Sequence, residues 1–228
     1  RSVWPSRLIT VADTRTVPVP VVAIDGPGGA GKGTISHLLA ERLGWHLLDS
    51  GALYRLVALD ASSRHIALDA ETGLARIAAG LDARFEARNG DERIWLAGRD
   101  VTQAIRSEAC GQGASVVAAL PAVRAALVQR QRDFRQPPGL VADGRDMATV
   151  IFPDAGLKVF LTASVEERAL RRHKQLKDKG IDVSLAALSG DMAERDRRDS
   201  ERSVAPLSPD QDARILDTTG PSRCRRRC

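Results

Sequence analysis

Gly26, Gly28, Gly29 and Gly31 fall within six positions, and Lys32 follows at once. Backbone this rich in glycine can turn its N–H groups inward, and the lysine adds a positive charge at the same point. Such a loop encloses an anion, above all a phosphate. A second group, Asp143-Gly144-Arg145-Asp146, gathers three charges in four residues. A third, Arg195, Asp199 and Arg202, repeats at i, i+4 and i+7, which on a helix puts all three on one face. Ser50 and Arg55 form a smaller set, readable as contacts to a second phosphate-bearing ligand or as a helix cap and a solvated arginine. The four histidines (37, 46, 65 and 173) show no metal-ligand spacing and carry no role.

These groups need elements to hold them. The β-branched run Val21–Asp25 reads as a buried strand, and an amphipathic segment from Ile35 to Leu43 follows the loop. Strand, glycine loop and helix stand in the order of a phosphate-binding loop, and Gly26-x-x-x-x-Gly31-Lys32 has its spacing. The residue after the lysine, where a Mg²⁺-ligating hydroxyl is expected, is Gly33; the hydroxyl comes at Thr34. Trp45-His46-Leu47-Leu48 reads as a second strand. Ala52 to Asp60 begins a helix with Leu53, Leu56, Val57 and Ala61 on one face, capped by Asp49 or Ser50.

Between residues 66 and 101 the pattern changes. Leu81–Ala87 alternates with period two, Asn89-Gly90 signals a tight turn, and Ile94-Trp95-Leu96 begins the return, which predicts a β-hairpin inserted in a βα chain. Helical spacing resumes from Ser107 to Leu127, with Pro121 inside it. Leu140-Val141-Ala142 is a strand ending in the Asp143–Asp146 group, and strand ends are where doubly wound sheets gather ligands. Asp143 there can hold Mg²⁺ through water; the alternative is a surface turn with an internal ion pair. Leu157–Leu161 predicts a further strand. Val165 to Gly180 is a highly charged helix, either a solvated face or a mobile lid carrying arginines over a phosphate. Asp191 to Arg202 is a second charged helix, and Ala213–Leu216 a short last strand.

Hydrophobic residues make up 43% of the 228 and aromatics only 4%, so the core rests on Ala, Leu, Val and Ile. The length fits one domain of moderate size with a small insert. No apolar run approaches the roughly 20 residues that span a bilayer. Residues 1–20, with Pro5, Pro18 and Pro20, lack the core of a signal peptide and are expected to be a disordered lead-in. Of the net charge of +5, residues 223–228 carry +4 and residues 1–20 carry +2, leaving 21–222 at −1. A near-neutral body argues against a nucleic-acid partner. Cys110 stands alone and Cys224 and Cys228 sit in the arginine tail, so no disulfide framework is expected and the chain reads as cytoplasmic. Those two tail cysteines fall short of a tetrahedral zinc site.

With these residues in place, the chain resembles the bacterial cytidylate kinases of the nucleoside monophosphate kinase group, from about Val21 to Asp217. The resemblance rests on Asp25–Thr34, Leu47–Arg55, Ala142–Met147, and Glu194-Arg195-Asp196 onward to Val204–Leu207. It implies an α/β P-loop kinase fold: a parallel five-stranded sheet flanked by helices, with a β-containing NMP-binding insert and a short lid. The core would be 21–49, 116–164 and 181–217, the insert 50–115, the lid 165–180, and 218–228 an atypical tail. It also implies transfer of the γ-phosphoryl of ATP to CMP or dCMP with Mg²⁺, by a monomer with no nucleic-acid or membrane partner.

Position by position, Gly26, Pro27, Gly28, Gly29, Ala30, Gly31, Lys32, Gly33 and Thr34 would hold the ATP phosphates. Thr34, directly or through water, and Asp143, through water, would hold the metal. Ser50, Arg55, Arg145 and Arg202 would lie near the acceptor phosphate or its ribose, and Arg195 and Asp199 near the sugar. Ser115, Arg124 and Asp146 would face the base, and Arg171 or Arg172 would be lid arginines. Lys32, Asp143, Arg145, Arg171 and Arg172 would carry the catalytic charge work.

The chemistry supports these types. Cytosine offers an amino donor and the acceptors N3 and O2, which a carboxylate, a hydroxyl and a guanidinium can match; uracil would turn its O4 acceptor on the carboxylate. In-line transfer needs no covalent nucleophile, only positioning and charge neutralisation, which suits a surplus of arginines. A kinase for UMP or AMP, or a phosphate-loop sensor that binds without turnover, would share much of this pattern. The family normally continues past the last strand into a helix packed on the sheet. Here Gly220-Pro221 leads into the arginine–cysteine tail, so exposed apolar surface is expected nearby.

Overall fold

The computed structural model describes residues 18–88 and 91–220. Its centre is a five-stranded, all-parallel sheet built from β1 (Val21–Asp25), β2 (His46–Asp49), β6 (Leu140–Gly144), β7 (Leu157–Thr162) and β8 (Arg214–Asp217). They lie in the order β2-β6-β1-β7-β8. Central β1 is buried at every position. Val21 and Ala23 face one core, shared with Leu48, Leu140 and Ala142, while Val22 and Ile24 face another, shared with Val141 and Leu161. Burial on both faces is why β1 reads as a continuous apolar run rather than an alternating one.

Helix α1 (Lys32–Leu43) follows the glycine loop, and Gly44 ends it in the left-handed conformation. The expected amphipathicity is inverted. Lys32, Ser36 and Ala40 turn inward, and Ile35, Leu38 and Leu43 are exposed. Of the α1 leucines, Leu39 packs against the core of Val22, Ile24, Val141 and Leu161.

The larger core is covered by α2 (Ser50–Ser63), α3 (Glu71–Ala79), α4 (Glu108–Val117) and α5 (Pro121–Arg132). Asp49 caps α2, its carboxylate accepting from Ala52 N–H at 3.2 Å, which settles the choice between Asp49 and Ser50. Leu53, Leu56, Val57 and Ala61 are all buried, as their spacing predicts. Pro121 does not interrupt one helix but starts another, as N1 of α5, where its missing N–H costs nothing. The inserted hairpin is β3 (Ala83–Arg88) with β4 (Asp91–Leu96), extended by a short β5 (Arg99–Asp100). The register Arg88↔Asp91 leaves two residues to connect them; that turn, Asn89-Gly90, lies outside the described residues.

After β7 come α6 (Val165–Lys177) and α7 (Leu185–Glu201), packed on a small core of Ala169, Leu176 and Leu188. Helix α7 begins six residues before the expected Asp191, with the Ser184 hydroxyl capping it. The expected lead-in (1–20) and tail (218–228) lie mostly outside the described residues. Packed chain nonetheless extends past 21–217 at both ends: Val19 O accepts from Arg135 at 2.7 Å, and Thr218 Oγ1 donates to Thr162 O at 3.0 Å. Ile215 and Leu216 on β8 are exposed, and the tail that follows, where a helix is expected to be missing, lies mostly outside the described residues. Among the described residues no single helix is long and apolar enough to cross a membrane.

Candidate active site

The loop between β1 and α1 is locked from below. Gly26 has φ +145, and a Cβ there would lie 1.9 Å from Leu161 O, so glycine is obligatory. Gly31, at φ +97, opens α1 with its N–H groups free of side-chain caps. Lys32 Nζ donates to Pro27 O at 3.0 Å and stands 3.8 Å from Asp143 Oδ1. Burial, followed by the charge of Arg145, brings Lys32 down to about 8, with Asp143 pulling the other way. Burial likewise raises Asp143 to about 6, against the pull of Lys32. A lysine held 6% exposed at the start of a helix is arranged to meet an incoming anion, which would restore its full charge. Thr34 is exposed on the first turn of α1, and Asp143 Oδ2 lies 3.7 Å from where a Cβ on Gly33 would be.

Opposite stands a guanidinium-rich pocket drawn from five elements. From the end of β6, Arg145 Nε donates to Asp199 Oδ2 on α7 at 2.8 Å. Asp146 pairs with Arg124 of α5 and lies 3.7 Å from Arg202. Arg124 also sits over the Tyr54 ring of α2, 5.7 Å from its centroid. Burial pushes the Asp146 carboxyl up, opposed by Arg124, Arg202 and Arg145. Burial would raise Asp199 too, yet Arg145 and Arg195 together hold it below the usual carboxylate range. Burial and the neighbouring Arg145 bring Arg195 down to about 10. Arg195 Nε and Arg202 Nη2 are buried without a hydrogen-bond partner among the described residues. Buried donors of this kind are costly unless a ligand completes them.

The remaining expected residues fall around the same space. Ser50 is buried where β6 turns, and its Oγ would be 2.7 Å from a Cβ on Gly144, a close approach that glycine alone permits. Arg55 reaches across from α2 to donate to Ile105 O at 2.6 Å. Ser115 on α4 accepts from Arg198 at 3.1 Å. Of the pair expected in the lid, Arg172 lines the cavity shared with Gly28 and Arg195, and both arginines are held by protein partners. Arg171 donates to Glu167 and to Thr218, and Arg172 pairs with Glu108 of α4, across the cleft from the lid.

Three residues in this architecture carried no role in the sequence reading. Arg168, only 3% exposed, donates to Gly28 O at 3.1 Å and pairs with Asp196, tying the loop to both α6 and α7. Arg198 meets Ser115 from α7. Asp25 accepts from two backbone N–H groups beyond β6. The i, i+4 register of Arg168 with Arg172 was available as a signal for the first, but in so charged a helix nothing singles it out.

The two halves meet. A Cβ built on Gly28 would lie 3.5 Å from Arg145 Nη2 and 3.6 Å from Arg195 Nη1. A cavity of about 560 Å³ opens here, lined by Gly28, Gly29, Arg55, Ser115, Arg168 and Arg195 among others. A parallel sheet with a glycine anion loop after its central strand and charged groups at the neighbouring strand end defines a phosphate-loop nucleotide-binding protein. The cytidylate kinase family model matches residues 22–223, and the chain belongs to that family. A cytidylate kinase of Pseudomonas aeruginosa strain UCBPP-PA14 is 62% identical over 203 residues, covering 88% of this chain and 89% of its own. Those of Aeromonas hydrophila and Shewanella loihica are 56% and 57% identical, each covering 88% or more of both chains.

Proposed function

We propose that this chain transfers the γ-phosphoryl group of ATP to CMP or dCMP, giving CDP or dCDP. The observation that carries the reading is the apposition at Gly28: a Cβ built there would contact Arg145 and Arg195, so a donor phosphate and an acceptor phosphate would be neighbours. Membership of the family supports the kinase reaction with ATP.

Residues 26–34 cradle the donor phosphates through backbone N–H groups, and Lys32 neutralises them. Ser50, Arg55, Arg145 and Arg202 hold the acceptor phosphate and its ribose; Arg195 and Asp199 hold the sugar. Ser115, Arg124 and Asp146 read the base, Asp146 accepting from the cytosine amino group. The acceptor oxygen attacks in line, and the developing charge is met by Lys32, Arg145 and the lid arginines Arg171 and Arg172. For either of those two to reach a phosphate, it must leave its present partner. Residues 50–115 act as the acceptor-binding insert and 165–180 as the lid, whose closure keeps water from the phosphoryl group.

Thr34 and Asp143 supply hard oxygen donors beside the loop. Among the described residues no cluster of three or more metal-ligating side chains exists. Bound there, Mg²⁺ would keep most of its shell as water and phosphate. When bound, Mg²⁺ neutralises the charge on the β- and γ-phosphates. We read the enzyme as a cytoplasmic monomer without a nucleic-acid or membrane partner, a reading that the near-neutral charge of residues 21–222 supports for nucleic acid.

The test is a substrate panel on purified protein with ATP and Mg²⁺. Phosphorylation of CMP and dCMP well above UMP and AMP is expected; a preference for AMP, or ATP binding without ADP production, overturns the reading.

A further inference from the structure

Asp25 closes β1 and is 2% exposed, yet it lies outside every set of residues expected to touch a nucleotide. Its two carboxylate oxygens are both occupied by backbone. Oδ1 accepts from Met147 N–H at 2.9 Å and Oδ2 from Ala148 N–H at 2.8 Å. Those two residues begin a single wide helical turn, Met147–Ile151, whose preceding residue is Asp146. The first N–H groups of any helical turn have no partner within it, and buried ones must find one. Both Met147 and Ala148 are buried, so the Asp25 carboxylate completes the turn.

The foundation under Asp25 is rigid. It sits on the central strand, paired on one side with Gly144 and on the other with Phe160. The next residue, Gly26, packs so closely on β7 that a Cβ there would lie 1.9 Å from Leu161 O. At the other end of the linkage, the turn returns to Asp146 itself: Val150 N–H and Ile151 N–H both donate to Asp146 O, at 2.9 and 3.2 Å. The backbone that follows the Asp146 side chain is therefore held twice, by its own turn and by Asp25.

We infer that Asp25 is a positioning residue for acceptor-base recognition, holding the Asp146 turn in register with the root of the glycine loop. This rests on the reading of Asp146 as the group that meets cytosine. Asp25 touches neither substrate; it acts through the Met147 and Ala148 amides. One carboxylate thus fixes the base reader to the same strand end that carries the donor cradle.

Asp25→Asn tests this, because it keeps the shape and loses one acceptor, turning an NH₂ against a backbone N–H. The expected result is a selective loss. KM for CMP rises about tenfold and the CMP-over-UMP ratio of kcat/KM falls about tenfold, while KM for ATP stays within about twofold. Asp25→Glu is measured beside it. That variant keeps both oxygens and the charge but displaces them by a methylene, and it should show the same selective loss. Equal changes in KM for CMP and ATP, or an unchanged CMP-over-UMP ratio in either folded variant, make Asp25 a structural residue only and overturn the inference. So does failure of both variants to fold, which would make it a determinant of the fold itself. The wild-type panel separates this from the broader reading. A wild type without CMP preference sinks the function assignment, whereas a preference that Asp25→Asn retains sinks only the role of Asp25.

Discussion

The donor cradle and the acceptor pocket face each other across a few ångströms and are built in opposite ways. The cradle is one unbroken stretch, Gly26 to Thr34, whose binding groups are mostly backbone N–H and whose single buried cation is Lys32. The pocket is assembled from α2, α4, α5, the end of β6 and α7, and its groups are long side chains paired with carboxylates. Backbone donors bind any phosphate and carry no base specificity. Side chains held in ion pairs can be placed to match one base and refuse another. Under the proposed function both halves neutralise phosphate charge, and base discrimination falls to the pocket alone.

The sharpest way to break that division is Lys32→Ala. The lysine is the cradle's only buried cation, so its loss should lower kcat about a thousandfold or more. The CMP-over-UMP ratio should hardly move, because Lys32 does not meet the base. Steady-state kinetics with both acceptors reads this. A large change in the ratio would show that the two halves are not separable.

Asp25 bridges the halves, and its titration measures what the bridge costs. Burial raises its carboxyl to about 6, partly offset by the Met147 and Ala148 N–H groups. A raised carboxyl pKa means that the folded state binds the proton more tightly than the unfolded chain. Its contribution is therefore present at acid pH and is lost as pH rises through the folded value. Relative to Asp25→Asn, the wild type should lose about 2 kcal/mol of unfolding free energy between pH 4 and pH 7. Denaturant titrations of both proteins at several pH values give the difference; a difference flat in pH contradicts the raised pKa.

On the pocket side, Asp146→Asn should narrow the CMP-over-UMP ratio by about 10- to 100-fold, since one amide can present a donor where the carboxylate presents only acceptors. kcat with CMP and KM for ATP should change less than the ratio does. If the ratio stays fixed, base reading lies elsewhere in the pocket.

The same contrast governs what the sequence made legible. The cradle was readable because its chemistry is local: strand, glycines, lysine and helix follow one another, and even Thr34 could be placed. Arg195 and Asp199 were readable as one face of a helix, whereas Arg202, expected on the same face, lies just past the helix end as its C-cap. Their pairing with Arg145 and Asp146 was not, because a chain of side-chain contacts over more than fifty residues leaves no spacing to count. The role of Asp25 was hidden for the same reason. Its partners are backbone amides 122 and 123 positions away, and any residue would supply those. Helix α3 escaped notice inside a stretch dominated by hairpin signals, with Thr72 and Gly73 weakening its helical pattern. The true start of α7 was masked by Gly190, which reads as a break but is an ordinary exposed helical glycine with open space around it.

The smallest effect concerns the ion pair between Arg172 on α6 and Glu108 on α4, which joins the lid side to the acceptor side. Both partners are partly exposed, and such pairs contribute at most about 1 kcal/mol. Yet the two halves of this pair have different fates under the proposed mechanism. Arg172, if it serves the transferring phosphate, must let go of Glu108 in each cycle, so Glu108 is a resting partner only. Glu108→Gln should then leave kcat within about threefold of wild type, or raise it slightly by freeing the arginine, and change stability by less than about 1 kcal/mol. Arg172→Ala, measured beside it, should lose more in kcat than Glu108→Gln does. Equal losses in the two variants would mean that the pair works as a latch and that the phosphate is served by Arg171 instead.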